Sequence, residues 1–103
     1  MAEFTKEFKK LAKKYPTLPS DFEVFKKVLP LIDFKNNKGY VIIKEVDFTK
    51  VVKARLKVKS LKGTLKTRVV FILRVENEVV DFIEIYTKNN KDREDNLRIN
   101  SYL

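Results

Sequence analysis

Val52-Lys53-Ala54-Arg55-Leu56-Lys57-Val58-Lys59 decides the fold of this chain. Side chains of a strand point alternately to its two faces, so Val52, Ala54, Leu56 and Val58 fall on one side and Lys53, Arg55, Lys57 and Lys59 on the other. The pattern predicts a strand over Val52–Lys59 with one buried and one cationic face. Four like charges along one strand face repel each other, and an anionic partner such as a phosphate backbone would offset that repulsion. Lysines that protect an exposed sheet edge from aggregation are the competing explanation, and it fits Lys57 and Lys59 better than Lys53 and Arg55.

Working outward, the stretch lies inside a one-sign block: Lys50 to Arg74 holds nine basic residues and no acid. The net charge of the 103 residues is +9. A block of this kind builds a local positive potential that attracts phosphate polymers. Beyond the loop Leu61–Lys66, the runs Arg68–Val75 and Val79–Tyr86 are apolar on both faces and read as central strands joined by a tight hairpin at Glu76-Asn77-Glu78. Upstream, Asn36-Asn37-Lys38-Gly39 is a turn signal, and Tyr40–Val46 reads as a further strand.

The N-terminal third follows a different period. Phe4, Phe8, Leu11 and Tyr15 recur at helical spacing with lysines between them, which predicts an amphipathic helix over about Thr5–Lys14, closed by Pro16. Ser20 and Glu23 have the spacing of a capping box, and Phe22, Phe25, Val28 and Leu29 continue as a second helix ending at Pro30. Two helices joined by a short link form a hairpin whose apolar side needs a sheet to cover it. From Lys91 onward, charge mixes with Leu97, Ile99, Tyr102 and Leu103, as in a short helix or docked tail. The expectation is one α+β domain over residues 1–103, with an N-terminal helical hairpin packed on an antiparallel, twisted sheet of about four strands and a short C-terminal helix or tail.

With 44% hydrophobic and 12% aromatic residues the chain has the composition of a folded domain. The absence of cysteine and histidine excludes disulfides, thiol nucleophiles, the usual zinc ligand sets and imidazole chemistry. No cofactor or metal site is expected. No segment has the pattern of a signal peptide or a membrane span, so a cytoplasmic location is expected.

If the strands pair as successive antiparallel neighbours, Lys53, Arg55, Arg68, Tyr86 and Lys88 converge toward one end of the sheet. Parity leaves one point open. A two-residue turn would put Arg68 and Tyr86 on opposite faces, whereas an odd-length turn or a bulge at Glu76-Asn77-Glu78 would bring them together.

The order of elements, with the strings Lys53-Ala54-Arg55, Thr67-Arg68-Val69-Val70-Phe71 and Phe82-Ile83-Glu84-Ile85-Tyr86-Thr87-Lys88, resembles the RelE/ParE superfamily of toxin-antitoxin toxins. The strings span Lys53–Lys88, and the helical hairpin extends the likeness over nearly the whole chain. The resemblance implies an mRNA endoribonuclease acting on the ribosome to inhibit translation, without metal, and held inactive by a cognate antitoxin. It implies catalytic places for Lys53, Arg55, Arg68, Tyr86 and Lys88; Lys50, Lys57, Lys59, Lys62 and Lys66 would then steer RNA. Arginine suits the charge of a developing phosphorane, and Lys53, crowded by Arg55, is the candidate base.

Two other functions are compatible with the same residues. One is a ParE-like toxin that inhibits gyrase through protein contacts and cuts no RNA. The lack of histidine or tyrosine between Lys88 and Ser101 favours it, while the concentrated basic strand favours RNA cleavage. The other is a non-catalytic RNA-binding or ribosome-associated module, for which the basic stripe alone suffices.

Overall fold

The apolar stripe of the first helix does find a sheet. A computed structural model describes residues 2–33, 36–60, 67–74, 79–88 and 93–103. Helices α1 (Ala2–Lys14) and α2 (Leu18–Val28) are followed by a 3-10 turn at Leu29–Leu31. Strands β1 (Tyr40–Val46), β2 (Thr49–Leu56), β3 (Thr67–Arg74) and β4 (Val79–Thr87) come next, then helix α3 (Asn96–Ser101). The strands form one antiparallel sheet in the order β1-β2-β3-β4. This is the expected α+β architecture, with a short helix at the C-terminus.

The helical hairpin covers one face of the sheet. Phe4, Leu11, Phe22 and Phe25 are buried against Val52, Ala54, Leu56, Val69, Phe71 and Ile85. Phe22 is the hub of an aromatic cluster, edge-on to Phe82 of β4 at 5.0 Å and 5.7 Å from Phe4. The other face is not simply cationic. Val51, Val70, Ile72, Ile83 and Tyr86 are buried there under Ile99 of α3, so β2 buries side chains on both faces at Val51 and Val52.

Several boundaries differ from the sequence reading. The α2 helix begins at Leu18, with Pro19 in its first turn and Thr17 as N-cap, so Ser20 and Glu23 are inside it and form no capping box. The Ser20 hydroxyl donates to the Thr17 carbonyl instead. Thr17 is occupied elsewhere: its Oγ1 accepts from the Ser60 backbone N–H at 2.8 Å and tethers the residues after β2 to the start of α2. The β2 ladder runs from Thr49 to Leu56, not to Lys59, although Val58 stays buried and the alternation of burial continues through it. Asp21 explains the break: its carboxylate accepts from the Lys59 backbone N–H at 2.9 Å, turning the chain toward α2. The loop Leu61–Lys66 and the hairpin at Glu76-Asn77-Glu78 lie outside the described residues.

A β-bulge settles the parity question. Val70 pairs with Glu84 and Phe71 with Phe82, which leaves Ile83 as an extra residue in β4. Phe82 and Glu84 would share a face in a regular strand. The bulge sends Phe82 into the aromatic cluster under the helices and Glu84 and Tyr86 to the opposite face.

The outer edge of β4 is closed by an ion pair. Arg98 of α3 reaches round it to Glu7 of α1, with contacts of 2.9 and 3.0 Å. The same guanidinium donates to the Ile83 carbonyl, and the Ile85 backbone N–H donates to Glu7. Strand groups that would otherwise be open to another chain are thus taken up by side chains. The carboxylates of Glu7 and Glu3 hold the Arg98 pKa above the ordinary arginine value, the Glu7 hydrogen bond contributing most.

Candidate functional site

Arg55 on β2, Arg68 on β3 and Tyr86 on β4 are direct partners across the sheet. Adjacent strands lie about 4.8 Å apart, so the three form a row about 10 Å long at one end of the face that carries α3. Lys53 stands two residues along β2 on the same face, opposite Val70 and one register step from Glu84. Arg55 is exposed, Arg68 half-buried and Tyr86 only 5% exposed, so the row slopes from solvent into the protein.

Each charge is set by its neighbours. Burial lowers the Arg68 pKa, the facing Arg55 charge lowers it further, and the Tyr86 phenol works against both. The Tyr86 pKa is pushed up to about 12 by burial and by the carboxylates of Glu94 and Glu84, with Arg68 opposing. At neutral pH Tyr86 is a phenol that can donate a hydrogen bond, and it is not poised to accept a proton. Glu94 sits beside it, 12% exposed in its side chain and 3.1 Å from the Lys53 ammonium. Burial works to raise the Glu94 pKa, but its backbone N–H, the Lys53 hydrogen bond and charge, and Arg93 together hold it below the usual value. Glu84 is fully buried and accepts from the Asp95 backbone N–H at 2.8 Å, fixing the residues that carry Glu94 across the sheet face.

The chain matches no family model, no curated protein and no solved structure. Its site must be read from its own geometry.

Of the residues singled out from sequence, Lys53, Arg55, Arg68 and Tyr86 are brought together. Lys88 follows β4 as an exposed turn residue beyond the end of the row. Lys57 is exposed just past β2 and extends the cationic end, and Lys59 sits at the turn held by Asp21. Lys50 has the parity of Val52 and pairs across the ladder with Glu45, which puts it on the helix-covered face toward the other end. Lys62 and Lys66 lie outside the described residues. The base role expected of Lys53 rested on crowding by Arg55, but the group its ammonium touches is the Glu94 carboxylate.

Sequence reasoning missed the two carboxylates. Glu84 was detectable as an acid flanked by Ile83 and Ile85 in the largely apolar run Val79–Tyr86, two residues before Tyr86 and hence on its face. Glu94 carried no such signal, because it lies in an irregular segment among mixed charges. Among the described residues, no group of three acidic side chains is arranged to hold a metal ion, and no helix is long and apolar enough to cross a membrane.

Proposed function

We propose that this chain is a toxin of the RelE/ParE kind that acts on RNA, as a metal-independent endoribonuclease cutting mRNA at the ribosome in the cytoplasm, with an acidic antitoxin as its inhibitor. The observation that carries this reading is the in-register row of Arg55, Arg68 and Tyr86 with Lys53 beside it. Two guanidiniums on neighbouring strands offer bidentate donors to one phosphate or to two successive ones. Tyr86, sealed and neutral, serves as a hydrogen-bond donor behind them.

In the reaction the ribose 2′-OH attacks the adjacent phosphorus, the bond to the 5′-oxygen breaks, and a 2′,3′-cyclic phosphate and a free 5′-hydroxyl result. The 2′-OH proton passes to a base, and the leaving oxygen takes up a proton. Arg68 and Arg55 stabilise the charge that builds on the phosphorane. Glu94 is a part-exposed carboxylate beside this row, and Lys53 supplies its counter-charge.

The burial of Tyr86 and the Lys53–Glu94 pair favour a second reading, a gyrase inhibitor of the same kind that works through protein contacts alone. Exposed apolar side chains such as Leu31 and Phe48 fit such contacts. One experiment separates the readings: controlled expression of wild type and Arg68→Ala in cells, with mapping of mRNA 5′ ends. New 5′-hydroxyl ends within translated frames, lost in the variant, support cleavage. Growth arrest with intact mRNA and lost supercoiling supports the gyrase reading, and neither effect leaves a binding module.

A further inference from the structure

A groove of about 270 Å³ opens beside Arg55, between α2 and the ends of β1 and β2. Its lining combines Val24, Phe25 and Val28 of α2 and Tyr40 of β1 with the cationic residues Arg55 and Lys57. The Tyr40 ring is half-buried and lies nearly parallel to Phe25, 6.2 Å away and tilted by 10°. Burial raises the Tyr40 pKa, so its phenol stays neutral. Val24 remains 59% exposed, an apolar side chain open to water on a basic protein.

We propose that this groove is a nucleobase subsite, taking the base of a nucleotide whose phosphate lies on Arg55 and Lys57. The inference rests on the RNA reading above and extends it from phosphate to base. A flat aromatic ring needs apolar walls and an aromatic neighbour, and Val24, Val28 and Tyr40 supply both. The phosphate one sugar away needs cations at the mouth, which Arg55 and Lys57 supply. The acid in the lining, Asp21, is spent on the Lys59 backbone N–H and offers an incoming phosphate little repulsion. Charge complementarity thus selects a phosphate-bearing ligand, and the apolar walls select one that carries a base.

The test is a binding titration with a hexauridylate and with the same ribose-phosphate backbone lacking bases, on wild type, Val24→Phe and Arg55→Ala. Val24 is exposed on a helix, so Val24→Phe fills the groove without a change of charge or fold. Wild type should bind the intact hexamer about tenfold more tightly than the abasic one. Val24→Phe should remove that difference while leaving abasic binding unchanged, and Arg55→Ala should weaken both. Equal binding of the two hexamers to wild type, with salt-sensitive loss in Arg55→Ala, would overturn the base subsite and keep the phosphate reading. Retention of the preference in Val24→Phe, or tighter binding of hexaglutamate than of the intact hexamer, would likewise overturn the base subsite. Failure of both hexamers to bind would overturn the subsite and the RNA reading together.

Discussion

Replacing Glu94 by Gln should strengthen the hold of this protein on a phosphate polymer. The Lys53 ammonium lies 3.1 Å from the Glu94 carboxylate, which cancels its charge at the row. Glutamine has the same shape and still accepts a hydrogen bond, so the ammonium stays in place with its charge released. A phosphate seated on Arg55 is about 7 Å from Lys53, two residues along the strand. With an effective dielectric constant between about 40 and 80, one added charge at that distance contributes about 0.6–1.2 kcal/mol. The affinity should therefore rise roughly three- to eightfold. The slope of log affinity against log salt should steepen by about one, as expected for one more cation meeting the polymer. Titration of a labelled single-stranded oligonucleotide at four or more salt concentrations measures both. Unchanged affinity with an unchanged slope would refute the reasoning, because Lys53 would then lie off the path of the polymer.

Arg98→Ala removes a two-pronged carboxylate contact and the donor to the Ile83 carbonyl; denaturant unfolding should show a loss of about 2–3 kcal/mol, and retention within 0.5 kcal/mol of wild type, roughly the scatter of a surface substitution, would contradict the edge-closing role. Because the Tyr86 pKa in the folded protein is raised to about 12, its contribution is complete below the unfolded value near 10 and is lost as pH rises from there toward 12. Over that interval the loss in wild type should exceed the loss in Tyr86→Phe, where Tyr40 and Tyr102 still titrate, by up to about 2–3 kcal/mol, read from unfolding curves in alkaline buffers. Glu94 runs the other way: its depressed pKa stabilises the fold above the ordinary glutamate value, and that stability is lost as pH falls through the folded value. Acid titrations of wild type and Glu94→Gln should diverge in that range and nowhere else. Phe22→Ala opens the hub of the aromatic cluster and should cost about 3–5 kcal/mol, unless the neighbouring rings collapse into the space.

Period carried the fold into the sequence. The helical stripe from Phe4 to Tyr15 and the alternation from Val52 to Val58 each name a buried face, and Tyr40–Val46 has the bounds expected of it. What period does not encode is competition between local signals. Ser20 and Glu23 had capping-box spacing, but Pro19 is tolerated inside the first turn, so the helix begins earlier and Thr17 is left to bind Ser60. Lys59 continues an alternating pattern but is turned by Asp21, a residue 38 positions away, and no local rule registers such a partner. The candidate site was half legible. Lys53, Arg55 and Arg68 announce themselves by charge, but whether Tyr86 joins them depends on one extra residue at Ile83, and apolar strings such as Phe82-Ile83 do not mark a bulge. Glu94 was hidden because its importance comes from where the chain crosses the sheet.

The closure of β4 by Glu7 and Arg98 has a consequence for how copies of this chain can meet. A sheet with two pairing edges can recruit neighbours on both sides, and such recruitment has no natural end. Occupying the Ile83 carbonyl and the Ile85 N–H makes the outer edge of β4 the poorer template and leaves β1 the better one. Two side chains from opposite ends of the sequence thereby bias where a neighbouring strand could add.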